Sequence, residues 1–179
     1  MNLPNLLTLL RIILVPVIII FLIQESYKEA LLTFVIAGLT DIFDGLLARS
    51  LNKQTKLGAF IDPMADKLLL ASSFVSLSVI GLIPSWLTVI VISRDFIIVL
   101  GMIILSMMSI KYEIKPALIS KATTAFQLST TFFALLDKVI HYDINSQWLI
   151  ILCWGTAAFT IASGFAYIMR GIKYINHAS

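Results

Sequence analysis

Charge is scarce in this sequence. Of 179 residues only 13% are Asp, Glu, Lys or Arg, about half the share of an ordinary soluble domain, while 59% are hydrophobic. That much apolar side chain exceeds what one small core can bury, which excludes a free-standing soluble domain and implies an all-α integral membrane protein. Cysteine is nearly absent as well: Cys153 stands alone among apolar neighbours, so no internal disulfide can form. The chain shows no internal repeat, low-complexity tract or heptad series, and its halves are not obviously symmetric, which argues against a transporter built from repeats. The charged start of a cleaved secretion signal is missing too. The first apolar stretch follows an uncharged start and contains Arg11, so it is expected to stay attached.

What is present is a set of six apolar stretches, at 6–24, 29–49, 62–82, 85–108, 117–137 and 146–170. Each is close to the ~20 residues that cross a bilayer as a helix, and short turns with Pro, Gly, Asn, Lys or Asp separate them. One domain, 1–179, with six transmembrane helices is therefore predicted. Basic residues set the orientation. With the N-terminus inside, Arg11, Arg49, Lys53, Lys56, Lys67, Lys111, Lys115, Lys121, Arg170 and Lys173 lie at cytoplasmic ends, Lys28 and Lys138 lie outside, and Arg94 falls within the fourth helix. Both termini are then cytoplasmic. The net charge of +3 follows from this bias and from attraction to anionic lipid, so it gives no reason to expect a nucleic-acid partner. Trp86, Trp148, Tyr167 and Tyr174 near helix ends read as an interfacial belt, and Pro16 is expected to bend the first helix.

Against this apolar background, four of the 10 acidic residues crowd into 26 positions: Asp41, Asp44, Asp62 and Asp66, at separations of 3, 18 and 4. At 100° per residue, Asp41, Asp44, Gly45, Ala48 and Arg49 share an arc of about 140° on one helix, while Ile42, Phe43, Leu46 and Leu47 occupy the remainder. Gly58, Asp62 and Asp66 recur every four residues and form a stripe on the next helix. Pro63 is expected in the first turn of that helix, with Asp62 as its cap. Four carboxylates in a poorly hydrated place repel one another and need cations or protons to remain together. Hard oxygen ligands suit Mg²⁺ or Mn²⁺, and Mg²⁺ keeps coordination positions open for water and substrate phosphates. Phosphate chemistry is the function class this implies. Gly45 and Ala48 on the acidic face let a bulky ligand approach the backbone, or let two helices pack closely; both readings stay open here. His141, in a short outer loop, and His177, in the tail, are placed far from the acids and are not expected as metal ligands.

At these residues the chain resembles the CDP-alcohol phosphotransferase family, whose signature is D-x2-D-G-x2-A-R-x8-G-x3-D-x3-D. All eight specified positions are present, from Asp41 to Asp66. The resemblance implies transfer of a phosphatidyl group from CDP-diacylglycerol to an alcohol with release of CMP, dependent on two Mg²⁺ or Mn²⁺ ions, in a six-helix protein that forms homodimers in the membrane with its active site facing the cytoplasm. It implies that Asp41, Asp44 and Asp62 bind metal. Asp66 is counted with them in the metal site, and it is also implied as the base that deprotonates the acceptor hydroxyl. Gly45, Ala48, Arg49 and Gly58 match positions that hold the CDP moiety, and Asn5 and Thr8 are further candidates for the CDP-lipid.

The stretches Asn2 to Arg11 and Ser120 to Gln127 resemble the glycerophospholipid branch, in which the acceptor is a glycerol hydroxyl. Arg94, Lys115 and Lys121 are the cations available to hold it. Ser93-Arg94-Asp95 has no further basic residue before Lys111. That form, with the run Ala157 to Gly171, resembles the enzymes that use phosphatidylglycerol more than those that use glycerol 3-phosphate, so the cardiolipin-forming reaction is favoured and the second stays open. Two other classes remain to be weighed. Intramembrane carboxylates also mark divalent-cation transporters, but all four acids lie near the cytoplasmic ends of two helices, with none deeper across the membrane. A noncatalytic scaffold would show interhelical small residues, such as Gly101 and Gly164, without a full acid set.

Overall fold

A computed structural model describes the backbone of residues 3–51, 58–108, 118–140 and 147–178, with side chains described except at 3–8, 41–51, 58–64, 102, 105, 106 and 174–178. Within these residues the protein is all-helical, with six helices: α1 (Leu3–Ile23), α2 (Tyr27–Leu51), α3 (Gly58–Val79), α4 (Ser85–Met107), α5 (Leu118–Ile140) and α6 (Gln147–Ala178). They follow the six apolar stretches closely. The largest departures are at α3, which starts at Gly58 instead of 62, and α6, which runs on to Ala178. At α3 the apolar run Ala59-Phe60-Ile61 joins the helix, so Asp62 lies inside it and is not its cap. α1 continues through Pro16 without interruption. Among the described residues, the stretch Gln147–Lys173 is long and apolar enough to cross a membrane.

Two turns show how the chain reverses. After α1, the Ser26 amide donates to the Phe21 carbonyl (2.9 Å) and the Glu25 amide to the Leu22 carbonyl (3.1 Å), a Schellman arrangement that satisfies carbonyls left over at a helix end. Glu25 takes the left-handed position at φ 56°. After α3 the same pattern recurs with Leu82 to Leu77 (2.8 Å) and Gly81 to Ser78 (3.1 Å), and here glycine occupies the left-handed position at φ 76°.

The helices fall into two compact units: residues Met1–Ile83 with Thr131–Ile144, and Pro84–Thr130 with Asn145–Ser179. In the first, α1 packs against both α2 and α3. Its core is built from helical stripes: Ile18 and Leu22 on α1, Ala30, Phe34 and Ala37 on α2, and Ala65, Leu69, Phe74 and Leu77 on α3, all buried. In the second unit α4 packs against α6. The buried stripe of α4 is Leu87, Val91, Arg94 and Ile98, and that of α6 is Cys153, Thr156, Ala157, Thr160 and Ser163. The α6 stripe is small throughout, which lets helices approach closely. Hydroxyls bridge the gap: Thr123 on α5 donates to the Phe159 carbonyl of α6 (3.0 Å). Phe126 and Phe159 stack with ring centroids 4.5 Å apart, and Trp86 lies 5.0 Å from Trp154.

Candidate functional site

The acid signature lies wholly within the first unit. Positions 41, 44, 45, 48 and 49 fall in the last turns of α2, and 58, 62 and 66 in the first turns of α3. The side chains of Asp41, Asp44, Gly45, Ala48, Arg49, Gly58 and Asp62 lie outside the described residues, as do those of Asn5 and Thr8 on α1. Lys115 and His141 fall outside them altogether, and His177 lies on α6 with its side chain undescribed.

Asp66 is the signature acid whose surroundings are visible. Its Oδ1 accepts a hydrogen bond from Nη1 of Arg11 on α1, and the two form an ion pair. The pair is lopsided: the Arg11 side chain is 0% exposed and that of Asp66 41%. The local register explains the contact. Arg11, Ile18 and Leu22 follow one another at helical spacing on the buried stripe of α1, and Asp66, Leu70 and Phe74 do the same on α3. Where these stripes meet, the charged residue of α1 faces a carboxylate. Arg11 thus belongs to the interior of the unit, and its charge answers Asp66. A guanidinium fully withdrawn from water is tolerable only beside such an anion.

A second polar cluster forms in the other unit around Arg94, itself buried. Nη1 donates to Asp95 Oδ1 at 2.6 Å, and Nη2 donates to Ser120 Oγ of α5 and Ser163 Oγ of α6, each at 2.8 Å. The guanidinium carbon lies 5.7 Å from the Tyr167 ring centroid, a cation-π contact, so this tyrosine is a partner of Arg94 and not a belt residue. Gly164 faces the Arg94 stem, since a Cβ there would lie 3.5 Å from Cγ. Arg94 Nε is buried without a hydrogen-bond partner in the protein. Lys121, next in sequence to Ser120 on α5, is exposed. Among the described residues, no three His, Cys, Asp or Glu side chains gather.

Sequence reasoning did not find Arg11, Ser163 or Tyr167. Arg11 had a visible signal, a lone cation on one helical arc with Asn5 and Thr8 in an otherwise apolar run, whereas Ser163 had none and Tyr167 read as an interfacial belt residue.

A family model for CDP-alcohol phosphatidyltransferase matches residues 1–162. The chain belongs to that family. Among curated relatives of this phosphatidyltransferase family, the human protein named cardiolipin synthase (CMP-forming) is 36% identical over 97% of this chain and 63% of its own length. The chain therefore spans less than two thirds of that relative. A probable phosphatidylglycerophosphate synthase of Mycobacterium tuberculosis is 32% identical, covering 97% of this chain and 83% of the relative. The CDP-diacylglycerol–glycerol-3-phosphate 3-phosphatidyltransferase of Bacillus subtilis is 31% identical over 94% of each.

Proposed function

We propose that this family member is an integral membrane phosphatidyltransferase that moves the phosphatidyl group of CDP-diacylglycerol onto a glycerol hydroxyl and releases CMP. In this reading six helices span the membrane, both termini and the active site face the cytoplasm, and the chain acts as a homodimer. The observation that carries it is the ion pair of Asp66 with Arg11, which holds the last acid of the signature by one oxygen while leaving the carboxylate partly exposed.

Asp41, Asp44 and Asp62 would hold two Mg²⁺ or Mn²⁺ ions, and Asp66 borders the same site. The donor chemistry fits, because carboxylate oxygens are hard ligands and four of them match the charge of two divalent ions. Such ions, when bound, neutralise a pyrophosphate and stabilise the departing CMP. The chain's own residues supply the rest. Gly45, Ala48 and Gly58 leave room for the CDP moiety along the backbone, Arg49 adds a cation beside it, and Asn5 and Thr8 offer polar contacts from α1. Asp66, which borders the same ions and would share in holding them, would also take the acceptor's hydroxyl proton.

Phosphatidylglycerol is the acceptor this reading favours. Arg94 and Lys121, with Lys115, are its contacts. Arg94 retains a buried donor for a ligand oxygen, but its charge is already offset by Asp95. Such a pair suits a phosphodiester with one negative charge better than a phosphomonoester with two. The similarity to the human cardiolipin synthase points the same way. Glycerol 3-phosphate is the second reading, favoured by the similarity to the Bacillus subtilis enzyme along nearly its whole length.

Incubation of the purified chain with labelled CDP-diacylglycerol, Mg²⁺ and each acceptor in turn tests both. CMP release with phosphatidylglycerol supports the first and release with glycerol 3-phosphate the second. Metal uptake into vesicles without CMP would favour transport and reject both.

A further inference from the structure

The lopsided burial of the Arg11–Asp66 pair has a chemical meaning. An ordinary surface ion pair has both partners wet and restrains neither. In a buried structural pair both partners are dry. Here the cation is wholly enclosed and the anion is 41% exposed, so packing fixes the guanidinium and the guanidinium in turn fixes the carboxylate. Ile18 and Leu22 continue the stripe that carries Arg11, and Leu70 and Phe74 continue the one that carries Asp66, so neither backbone can shift without disturbing buried apolar contacts. The charge-assisted hydrogen bond from Nη1 fixes the position of the Asp66 oxygen that accepts it.

We infer that Arg11 is a positioning residue for Asp66: from the interior of the first unit it holds the carboxylate in the orientation from which its exposed part receives the proton of the acceptor hydroxyl. The inference rests on the reading of Asp66 as the base. Arg11 touches neither substrate nor reacting atom in this role. Removing it takes this restraint from Asp66, and proton transfer becomes rarer although the CDP-lipid still binds.

The test compares Arg11→Gln, Arg11→Lys, Asp66→Asn and the double variant Arg11→Gln/Asp66→Asn, as full chains in detergent micelles, with Mg²⁺, CDP-diacylglycerol and the acceptor that gives CMP with the unaltered protein. Arg11→Gln is expected to lower kcat by about 10²-fold, with KM for CDP-diacylglycerol changed by no more than about threefold. Arg11→Lys, which keeps the charge and a donor but on a more flexible stem, is expected to recover about tenfold of that loss. In long incubations the double variant is expected to be no slower than Asp66→Asn by more than about twofold, because both changes disable one device.

A kcat for Arg11→Gln within about threefold of the unaltered chain, with Asp66→Asn reduced to its residual rate, overturns the positioning role and leaves the base reading intact. Losses that multiply in the double variant overturn it in the same way. Full activity of Asp66→Asn removes both. Should Arg11→Gln fail to fold, Arg11→Lys decides: a lowered kcat at unchanged KM is expected, and an unchanged kcat rejects the role.

Discussion

The hydroxyls of Thr130 on α5 and Thr156 on α6 lie 2.7 Å apart, both with fully buried side chains. Thr130 also faces the Phe126 carbonyl of its own helix at 2.9 Å. Thr156→Val removes the bridge between helices while Thr130 keeps that carbonyl. Polar bridges between membrane helices contribute about 0.6 kcal/mol on average, so the variant is expected to unfold a few degrees lower in detergent with its CMP release unchanged. A loss above about 2 kcal/mol would show that this bond matters more than its kind usually does.

Two glycines separate packing from helix propensity. A Cβ at Gly155 would meet Phe126 Cε1 at 3.3 Å, and stacking on Phe159 prevents that ring from retreating easily. At Gly101 a Cβ would meet nothing within 4 Å among the described residues. Gly101→Ala is expected to stabilise by about 0.5–1 kcal/mol, and Gly155→Ala to gain nothing or to lose stability. Thermal unfolding of the two variants side by side measures the difference.

The paired turns after α1 and α3 make a reciprocal prediction. Glu25 adopts a left-handed conformation that Gly81 fills without strain. Glu25→Gly is expected to stabilise by up to about 1 kcal/mol and Gly81→Ala to destabilise by about 1 kcal/mol or more, read from thermal midpoints. Equal midpoints for all three proteins would refute the argument.

Arg94→Ala takes its guanidinium from Asp95 and strips a donor from buried Ser163 and half-buried Ser120. The expected cost is about 3 kcal/mol, and Arg94→Ala/Asp95→Ala is expected to cost less than Arg94→Ala alone, because no uncompensated charge remains. Additive costs would mean that Arg94 and Asp95 act independently.

Turnover is expected to stop when a chelator removes divalent ions and to return with Mg²⁺ or Mn²⁺. Asp41→Asn is expected to abolish CMP release, while Asp66→Asn is expected to leave only a residual release seen in long incubations and largely to preserve binding of CDP-diacylglycerol. Activity that persists in chelator would exclude the metal-dependent route.

The acid motif was legible because its information is local: Asp41 and Asp44, or Asp62 and Asp66, share a helix and their spacing states their common face. The six helices were legible for a similar reason, since long apolar runs bounded by Pro84, Gly81 or the Glu25-Ser26 turn leave few alternatives. Helix ends were harder. The start of α3 depended on whether Ala59 to Ile61 would join a helix ahead of Pro63, and propensity alone does not settle that.

The chain's spacing of carboxylates and its apolar periods determined by themselves a helical protein of this phosphatidyltransferase family. Only tertiary structure decided what each buried cation meets. Arg11 finds Asp66 across 55 positions, and Arg94 reaches Ser120 across 26 and Ser163 across 69. The period of a helix tells which side chains share a face but not which face of another helix it will meet, and it is that meeting which gives a charge withdrawn from water its partner.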